Sequence, residues 1–398
     1  MKLLRSLPLL LGLAAAGCAT PPPGNLFHEL LGKSEAELDA KLETAWAHFF
    51  LGDTNSQRLY YPVGPDLAYI ADIGSGDVRS EGMSYGMMLA VQLDKRAEFD
   101  RLWRWANRYM RHAAGPREGY FAWQCKFDGT VIDPGSASDG EEWFAMALFF
   151  ASHRWGNGEG LLNYGAEAQT ILRDMLHKRS TAEITPIFER TARQVVFAPT
   201  PYGSRFTDPS YHLPAFYDWW ARWSDNASDR KFWSEAANVS RAFFHRAAHP
   251  ATGLMPEYAY FDGRPHTAFV KDKGDFRYDS WRTLANVGLD HAWWRADPWQ
   301  VEQSNRVLRF LGGQTRLANQ YSLDGKPLSN DTSLGLIAMA AVAGQAADPA
   351  LARPFVQRLW DAPPPSGRWR YYDGLLYFLG LLQAGGRFQA YGPASPSS

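Results

Sequence analysis

One carboxylate of this chain lies among small and apolar residues, where a surface helix would not place it. Glu81 stands in RSEGMSYGMM (79–88), after a Gly- and Asp-rich loop and before the nearly uncharged stretch MSYGMMLAVQL (83–93). That stretch predicts a helix buried on most sides. Partial desolvation at its mouth would raise the carboxyl pKa and suit Glu81 to donate a proton near neutral pH. The alternative is a charge that only complements the helix dipole.

Three later segments carry polar residues directly before or inside an apolar block. They are Asp139 in SDGEEW, Tyr211 in DPSYHLP and Asp279 in YDSWRT. Asp139, with Glu142 three residues on, also fits a helix N-cap arrangement that needs no further role. Asp279 with Arg282 could equally be a local ion pair at a helix start. Each residue therefore has a structural interpretation, and their joint occurrence is what favours a site.

The elements that must position these residues are long apolar blocks at helical spacing. Alternate blocks are apolar nearly all round, and the blocks between them are amphipathic, so the first kind is predicted inside and the second outside. Six inner and six outer helices predict an all-α fold, an (α/α)6 barrel of helical hairpins, with an open α-solenoid as the alternative. The twelve blocks span residues 35–51, 82–93, 96–112, 140–154, 160–178, 211–224, 229–245, 280–296, 298–312, 332–344, 349–360 and 370–384.

Alternating hairpins require the inner helices to run parallel, which places their N-terminal turns on one rim. Glu81, Asp139, Tyr211 and Asp279 would then surround a common cleft. Acids beside aromatic residues are typical of a site for a polyhydroxylated ring, and glycoside hydrolysis needs one protonated and one ionised carboxyl on opposite sides of the scissile bond. The aromatic residues nearest these positions are Trp123, Tyr85, Tyr211, Tyr278 and Trp281.

The composition and the motifs of the sequence exclude several classes of function. The net charge of −1 over 398 residues provides no basic surface for nucleic acid. The sequence contains no glycine-rich phosphate loop and no GxSxG elbow. His245 and His249 are four residues apart, but Pro250 ends that helix and no third ligand is near. We expect no metal, no cofactor, a saccharide substrate as the partner, and a monomer.

The N-terminus predicts export. Lys2 and Arg5 precede an apolar run that ends in AAGC, as in a bacterial lipoprotein signal, so we expect lipidation of Cys18 and attachment to a membrane, with a periplasmic or secreted protein as the alternative. Membrane contact is expected only through this lipid. The predicted organisation is a signal peptide (1–17), a lipidated tether (18–29), one catalytic domain (30–390) and a disordered tail (391–398).

Five segments resemble glycoside hydrolase family 8, and within it the branch that acts on xylo-oligosaccharides and xylan. The resemblance implies an (α/α)6 barrel and an inverting hydrolase. In it, Glu81 matches the general acid, Asp279 the general base, and Tyr211 a residue that holds the attacking water. Asp139 matches an aspartate that contacts the sugar, and Arg282 an arginine beside the base. The segments are SEGMSYGMM (80–88), GYFAWQCKFDG (119–129), ASDGEEWFAMALFFASHRWG (137–156), DPSYHLPAFY (208–217) and YDSWRT (278–283).

The resemblance leaves the mode of attack and the substrate open. Trp123 falls in the motif that supplies a stacking aromatic. Family members that release xylose from reducing ends carry a histidine that closes the cleft, whereas the corresponding loop here, LDGKPLSNDTSLG (323–335), has none. Reducing-end release and internal cleavage of xylan both remain open. A β-1,4-glucanase or chitosanase of the same family is a second hypothesis, and a surface glycan-binding lipoprotein without catalysis is a third.

Overall fold

The computed structural model describes residues 24–393, and within that range the chain is mainly helical. A π-helical turn, Ala47–Leu51, continues the helix that ends at Trp46. The α-helices are α1 (Leu26–Leu31), α2 (Glu35–Trp46), α3 (Ser80–Gln92), α4 (Arg96–Tyr109), α5 (Ser138–Trp155), α6 (Tyr164–His177), α7 (Pro214–Trp223), α8 (Ala227–Ala247), α9 (Arg282–Trp294), α10 (Trp299–Gly312), α11 (Leu334–Ala343), α12 (Pro349–Asp361) and α13 (Arg370–Ala384).

Short antiparallel strands lie in the loops between these helices. Two of the sheets are two-stranded antiparallel pairs, and the third has three strands with Gln124–Cys125 in the middle. The three-stranded sheet matters for the site because β3 runs directly into α3. The strands are β1 (Tyr60–Val63), β2 (Leu67–Ile70), β3 (Val78–Arg79), β4 (Gln124–Cys125), β5 (Val131–Asp133), β6 (Phe188–Glu189) and β7 (Gln194–Val195).

Six helices, α3, α5, α7, α9, α11 and α13, form an inner ring, as their largely apolar sequences predict. Neighbours in the ring pack on each other, and α13 returns to contact α3, which closes the ring. Between α5 and α7 the contact includes Trp143 on Phe216, with ring centroids 5.1 Å apart. The outer helices α4, α6, α8, α10 and α12 each pack on the inner helix beside them in sequence, and α2 packs on α13. The barrel prediction is confirmed, and the open solenoid is wrong.

Burial follows the same division between the two rings. Every residue of α11 from Gly335 to Ala343 is buried, whereas α4 buries only the face that carries Phe99, Leu102 and Trp103. A helix without charge can be covered on all sides, while an amphipathic helix must leave its polar stripe in water. The sequence difference between alternate blocks therefore sets which ring each helix joins.

Two domain boundaries differ from the prediction. Helix α1 lies across the end of the predicted tether, residues 18–29, and its Phe27 is fully buried against Trp360, so the fold begins before residue 30. At the C-terminal end, Tyr391 of the predicted tail packs under the guanidinium of Arg154, 4.7 Å from the ring centroid. The signal peptide and Cys18 lie outside the described residues. Within residues 24–393, no helix is long and apolar enough to cross a membrane.

Candidate active site

Glu81 lies in the first turn of α3, where the chain leaves strand β3. The Ser80 amide donates to the Trp123 carbonyl at 3.0 Å, which fixes this turn against the segment that leads into β4. The Glu81 side chain keeps 15% of its surface exposed. Burial raises its pKa to about 7, the positive charge of Arg282 opposes that shift, and the charges of Asp139 and Asp279 add to it. A carboxyl with this pKa is protonated in a useful fraction at neutral pH.

Arg282 joins the polar residues of several inner-helix N-termini. Its Nη1 lies 3.0 Å from Glu81 Oε2, 2.8 Å from Asp139 Oδ2 and 2.8 Å from the Tyr85 hydroxyl. Its Nη2 lies 3.2 Å from Asp279 Oδ1. These contacts bring together residues separated by up to 201 positions in sequence. The prediction that the inner-helix N-termini meet on one rim is therefore confirmed for Glu81, Asp139 and Asp279.

The two carboxyls proposed to act on substrate face a single guanidinium. Glu81 and Asp279 each contact one of its two terminal nitrogens. These contacts hold the nearest carboxyl oxygens closer together than about 9.5 Å, the upper limit of carboxyl separation in inverting glycosidases. The two acids therefore face a common cleft.

The N-cap interpretation of Asp139 is wrong. Helix α5 begins at Ser138 after Ala137, and no side chain caps it. The Asp139 carboxylate turns instead to Arg282, and Glu142 accepts a hydrogen bond from the Tyr217 hydroxyl at 2.5 Å. Burial raises the Asp139 pKa, while Arg282 opposes the shift. The sequence matches a capping motif, but Asp139 and Glu142 contact residues of more distant helices instead.

Two cavities meet at the carboxyl pair, and Arg79, Glu81 and Asp279 line both. The larger has a volume of about 470 Å³ and the smaller about 310 Å³. The walls of the larger cavity combine aromatic and acidic residues: it is further lined by Trp123, Asp133, Asp139, Phe197, Tyr211, Tyr258, Phe269 and Arg282. The smaller is further lined by Asp72, Glu257, Lys273, Tyr278, Trp369, Tyr371 and Tyr372.

The predicted aromatic residues divide between the cleft and the layer behind it. Trp123 and Tyr211 line the larger cavity, and Tyr278, 43% exposed, lines the smaller one. Tyr85 is buried behind Arg282, and Trp281 is 1% exposed, with its indole N–H donating to the Asn319 carbonyl at 3.0 Å. Neither Tyr85 nor Trp281 lines the two cavities that meet at the carboxyl pair, so the structure gives no support to the prediction that they touch substrate. Both support residues that do line them.

Tyr371 and Tyr372, at the start of α13, were missed. The Tyr371 hydroxyl lies 3.1 Å from Glu81 Oε1, and the Tyr372 hydroxyl lies 3.3 Å from Asp279 Oδ1. A signal was available, because these tyrosines occupy the N-terminal turn of the sixth inner helix, as Glu81 and Asp139 do in the first and second. The sequence RYYDGLL (370–376) is also typical of a core segment, which conceals the role of its hydroxyls.

Two buried acids beside the base were also missed. Asp208 is fully buried, and its Oδ1 accepts from the Ser210 amide at 2.7 Å, which holds the turn that carries Tyr211. Burial raises the Asp208 pKa well above its usual range. Glu257 accepts from Lys273 Nζ at 2.9 Å, and burial raises its pKa to about 7. Neither residue lies in the first turn of a predicted inner helix, so the rim argument could not find them.

With this geometry, comparison with known proteins decides the family. A family model described as glycosyl hydrolases family 8 matches residues 72–386. The chain belongs to glycosyl hydrolase family 8. The match to this family 8 model spans every residue named in the cleft, from Asp72 to Tyr372.

Relatives with curated names and solved structures agree with the family 8 fold. The chain is 48% identical over 373 residues to a protein of Paenibacillus barcinonensis named reducing-end xylose-releasing exo-oligoxylanase Rex8A, covering 92% of this chain and 96% of that one. A protein of Halalkalibacterium halodurans with a similar name is 42% identical, covering 93% and 94%. A family 8 xylobiose complex from Teredinibacter turnerae superposes with a TM-score of 0.91 at 45% identity, covering 94% and 98%.

Proposed function

We propose that this glycoside hydrolase cleaves β-1,4-xylosidic bonds in xylo-oligosaccharides or xylan with inversion of configuration. The observation that carries the proposal is the pair Glu81 and Asp279, held on one guanidinium at the junction of two cavities. The 48% identical relative, named for xylose release from oligoxylans, supports the choice of pentose chains.

In the proposed reaction, Glu81 donates its proton to the glycosidic oxygen as the bond from that oxygen to C1 breaks. Asp279 accepts a proton from water as the water oxygen bonds to C1 from the opposite face, which turns a β-linkage into an α-configured product. Tyr211, in the wall of the larger cavity, helps hold that water, and Asp139 contacts the sugar at the cleavage point. Trp123 supplies a flat apolar face in the larger cavity for a sugar ring, and Tyr278 supplies one in the smaller.

The anomer formed first tests the mechanism. Proton NMR of xylotetraose during the first turnovers should show the newly formed reducing end as the α-anomer, before mutarotation mixes the two forms. A β-anomer as the first product would contradict inversion. Rates on xylo-oligosaccharides, carboxymethyl cellulose and chitosan, compared at equal enzyme concentration, test the substrate. Faster turnover of glucan or chitosan would indicate that the chain has the specificity of another branch of the family.

Internal cleavage of xylan is a second candidate mode, and one feature of the cleft favours it. The smaller cavity opens beside Trp369, which is 70% exposed, and the loop 323–335 brings no histidine to it. Reducing-end release is favoured by the names of the relatives at 48% and 42% identity. The product profile of xylohexaose separates them: stepwise release gives xylose and xylopentaose first, and internal cuts give xylotriose, xylobiose and xylotetraose.

We also propose that the protein is exported and lipidated at Cys18, on the basis of the sequence alone. Expression of the chain with its signal in a bacterial host, followed by detergent phase partitioning, should recover it in the detergent phase. A Cys18→Ala variant should move to the aqueous phase. Recovery of the original chain in the aqueous phase would favour simple secretion. Size-exclusion chromatography with light scattering tests the expected monomer.

A further inference from the structure

Two consecutive tyrosines reach the two proposed reacting carboxyls from a single helix turn. Tyr371 is 3% exposed, and its hydroxyl lies 3.1 Å from Glu81 Oε1. The single Tyr372 O–H is shared between two acceptors, the Tyr278 carbonyl at 3.1 Å and Asp279 Oδ1 at 3.3 Å, so it contacts both the base and the turn that carries it. No second pair of adjacent residues in the described chain bonds to both carboxyls.

The oxygen that Tyr371 contacts is the one that must carry the proton. Arg282 donates to Glu81 Oε2, and a guanidinium has donors but no acceptor, so Oε2 must act as an acceptor. The proton of the neutral acid therefore belongs on Oε1, beside the Tyr371 hydroxyl. That hydroxyl can accept from the neutral acid and donate to the carboxylate left after proton transfer. Its own pKa is raised well above the usual range by burial and by the charge of Glu81, so it keeps its proton.

Asp279 is held in the complementary way. Tyr372 and Arg282 both contact Oδ1, at 3.3 Å and 3.2 Å. Among residues 24–393, no hydrogen bond from a side chain or amide reaches Oδ2. The two donors therefore fix the carboxylate by one oxygen and leave its second oxygen for water. The fixed oxygen sets the direction in which the remaining one points.

The start of α13 is built to hold both tyrosines in place. The Arg370 side chain is fully buried, and its guanidinium donates to four backbone carbonyls, those of Thr54, Asn55, Arg58 and Gly367. On the far side, Asp373 accepts from the Ser333 hydroxyl and from the Gly335 amide at the start of α11. The residues on either side of the tyrosine pair thus anchor the helix turn in the barrel.

Gly82, next to the acid, provides the space that Tyr371 occupies. A Cβ at Gly82 would lie 2.6 Å from the Tyr371 hydroxyl oxygen and 2.7 Å from its ring. Any larger residue would push the hydroxyl away from Glu81. A glycine in the first turn of a buried helix costs helix stability, and this close approach accounts for it.

We infer that Tyr371 and Tyr372 are a matched pair of positioning residues, with Tyr371 aligning the acid Glu81 and Tyr372 aligning the base Asp279. The inference rests on the proposed roles of Glu81 and Asp279. It predicts that the loss of each hydroxyl harms a different half of the reaction. Loss at Tyr371 impairs proton donation to the leaving group, and loss at Tyr372 impairs the activation of water.

A comparison of leaving groups separates these halves. Xylotetraose needs a proton on its departing oxygen, whereas β-xylobiosyl fluoride releases fluoride with little need for an acid. Tyr371→Phe should lower kcat/KM on xylotetraose about tenfold, a part of the 10²–10⁴-fold that general acid catalysis supplies, and change it less than threefold on the fluoride. Tyr372→Phe should lower kcat/KM on both substrates by similar factors. Gly82→Ala should reproduce the pattern of Tyr371→Phe while the tyrosine remains.

Tyr377→Phe is the control, because Tyr377 lies on the same helix and donates to the Ala362 carbonyl at 3.2 Å, away from the cleft. It should match the original enzyme on both substrates. Equal losses of Tyr371→Phe on the two substrates, or no loss beyond that of Tyr377→Phe, would overturn the inference. Glu81→Gln distinguishes the two levels of failure. If Glu81→Gln loses activity on xylotetraose but keeps activity on the fluoride, Glu81 is the acid and only the inference about the tyrosines is wrong. If it loses both activities equally, the proposed function is wrong, and the inference about the tyrosines with it.

Discussion

Glu81 and Asp279 share one guanidinium but stand in different surroundings. Glu81 is part of a buried helix, keeps 15% of its side chain exposed, and is packed between Arg282 and Tyr371. Asp279 lies on a 3₁₀ turn, Tyr278–Trp281, and keeps 28% exposed. The difference comes from the backbone element that carries each acid. A helix start surrounded by helices excludes water from a carboxyl, whereas an open turn leaves one carboxyl oxygen accessible to water.

Because the cation is common to both acids, it cannot by itself assign their roles. Burial assigns the role of acid to Glu81, because desolvation disfavours its charged form more than Arg282 favours it. The access of water to one oxygen of Asp279 assigns it the role of base. Variants that change the surroundings of one acid at a time therefore test whether the two acids have different roles.

The largest effect should come from removing either carboxyl as an acid or base. Glu81→Gln and Asp279→Asn keep size and shape, and each should lower kcat on xylotetraose by about 10²–10⁴-fold, because each removes one proton transfer. Steady-state kinetics measures this, with thermal unfolding to show that both variants fold. Activity within threefold of the original in either variant would show that the substituted residue does not have the proposed role.

The shared cation should rank second. Arg282→Lys keeps the charge but loses the planar fork that reaches Glu81, Asp139 and Asp279, and we expect kcat/KM to fall about 100-fold, or roughly 2.7 kcal/mol of transition-state stabilisation. The matched control is Arg241→Lys. Arg241 is similarly buried and contacts Asp218 and Asp290 at 2.5 and 2.7 Å, away from the cleft.

Both arginine variants should unfold at lower temperature, since each weakens a buried ion network. Only Arg282→Lys should lose turnover per folded molecule. If Arg241→Lys lost as much activity, the effect of Arg282→Lys would come from general stability, and Arg282 would have no specific role in positioning the two acids.

The pH profile tests the role of Glu81 without any substitution. The acid must be protonated, and the pKa of Glu81 is raised to about 7. Activity that depends on this proton is present below pH 7 and is lost as the pH rises through it, so kcat/KM should fall about tenfold per pH unit above the pKa. Measurement between about pH 5 and 9, with stability checked at each pH, tests this. A flat profile across that range would contradict the burial argument for Glu81.

The inner ring and its common rim could be predicted because they depend on local patterns. Helical blocks that are apolar nearly all round, such as the one after Glu81, are predicted inside, and six of them alternating with amphipathic blocks must present their N-termini together. Asp139 shows the limit of such local patterns. Its capping motif is a relation over three residues, whereas its actual partner, Arg282, lies 143 positions away, and no local pattern contains that contact.

The aromatic residues show a second limit. Trp281 and Tyr85 stand in the predicted segments, yet both lie behind the cleft, because residue type does not fix which side of a turn or helix a ring occupies. Tyr371 and Tyr372 were missed for the opposite reason: in RYYDGLL a tyrosine that bonds to a carboxyl has the same letter as one that fills the core. Only the three-dimensional packing of α13 in the ring distinguishes them.

The smallest effect should separate binding from proton transfer. Trp123 is half-buried in the wall of the larger cavity, with the Arg79 guanidinium 5.7 Å from its ring, and its side chain bonds to neither carboxyl. Trp123→Ala should raise KM for xylotetraose about tenfold, or roughly 1.4 kcal/mol of lost binding, and leave kcat within threefold. The decline of activity above pH 7 should stay where it is, since the surroundings of Glu81 are unchanged.

Trp281→Phe is the control for this variant, because Trp281 is buried behind the cleft and bonds to the Asn319 carbonyl. It should lower the unfolding temperature and leave KM within twofold. A shift of the alkaline decline in Trp123→Ala would mean that the ring helps to desolvate Glu81. The acid would then owe its pKa to the cleft wall as well as to the helix that carries it, and the contrast with Asp279 would extend beyond the backbone to the aromatic face that receives the sugar.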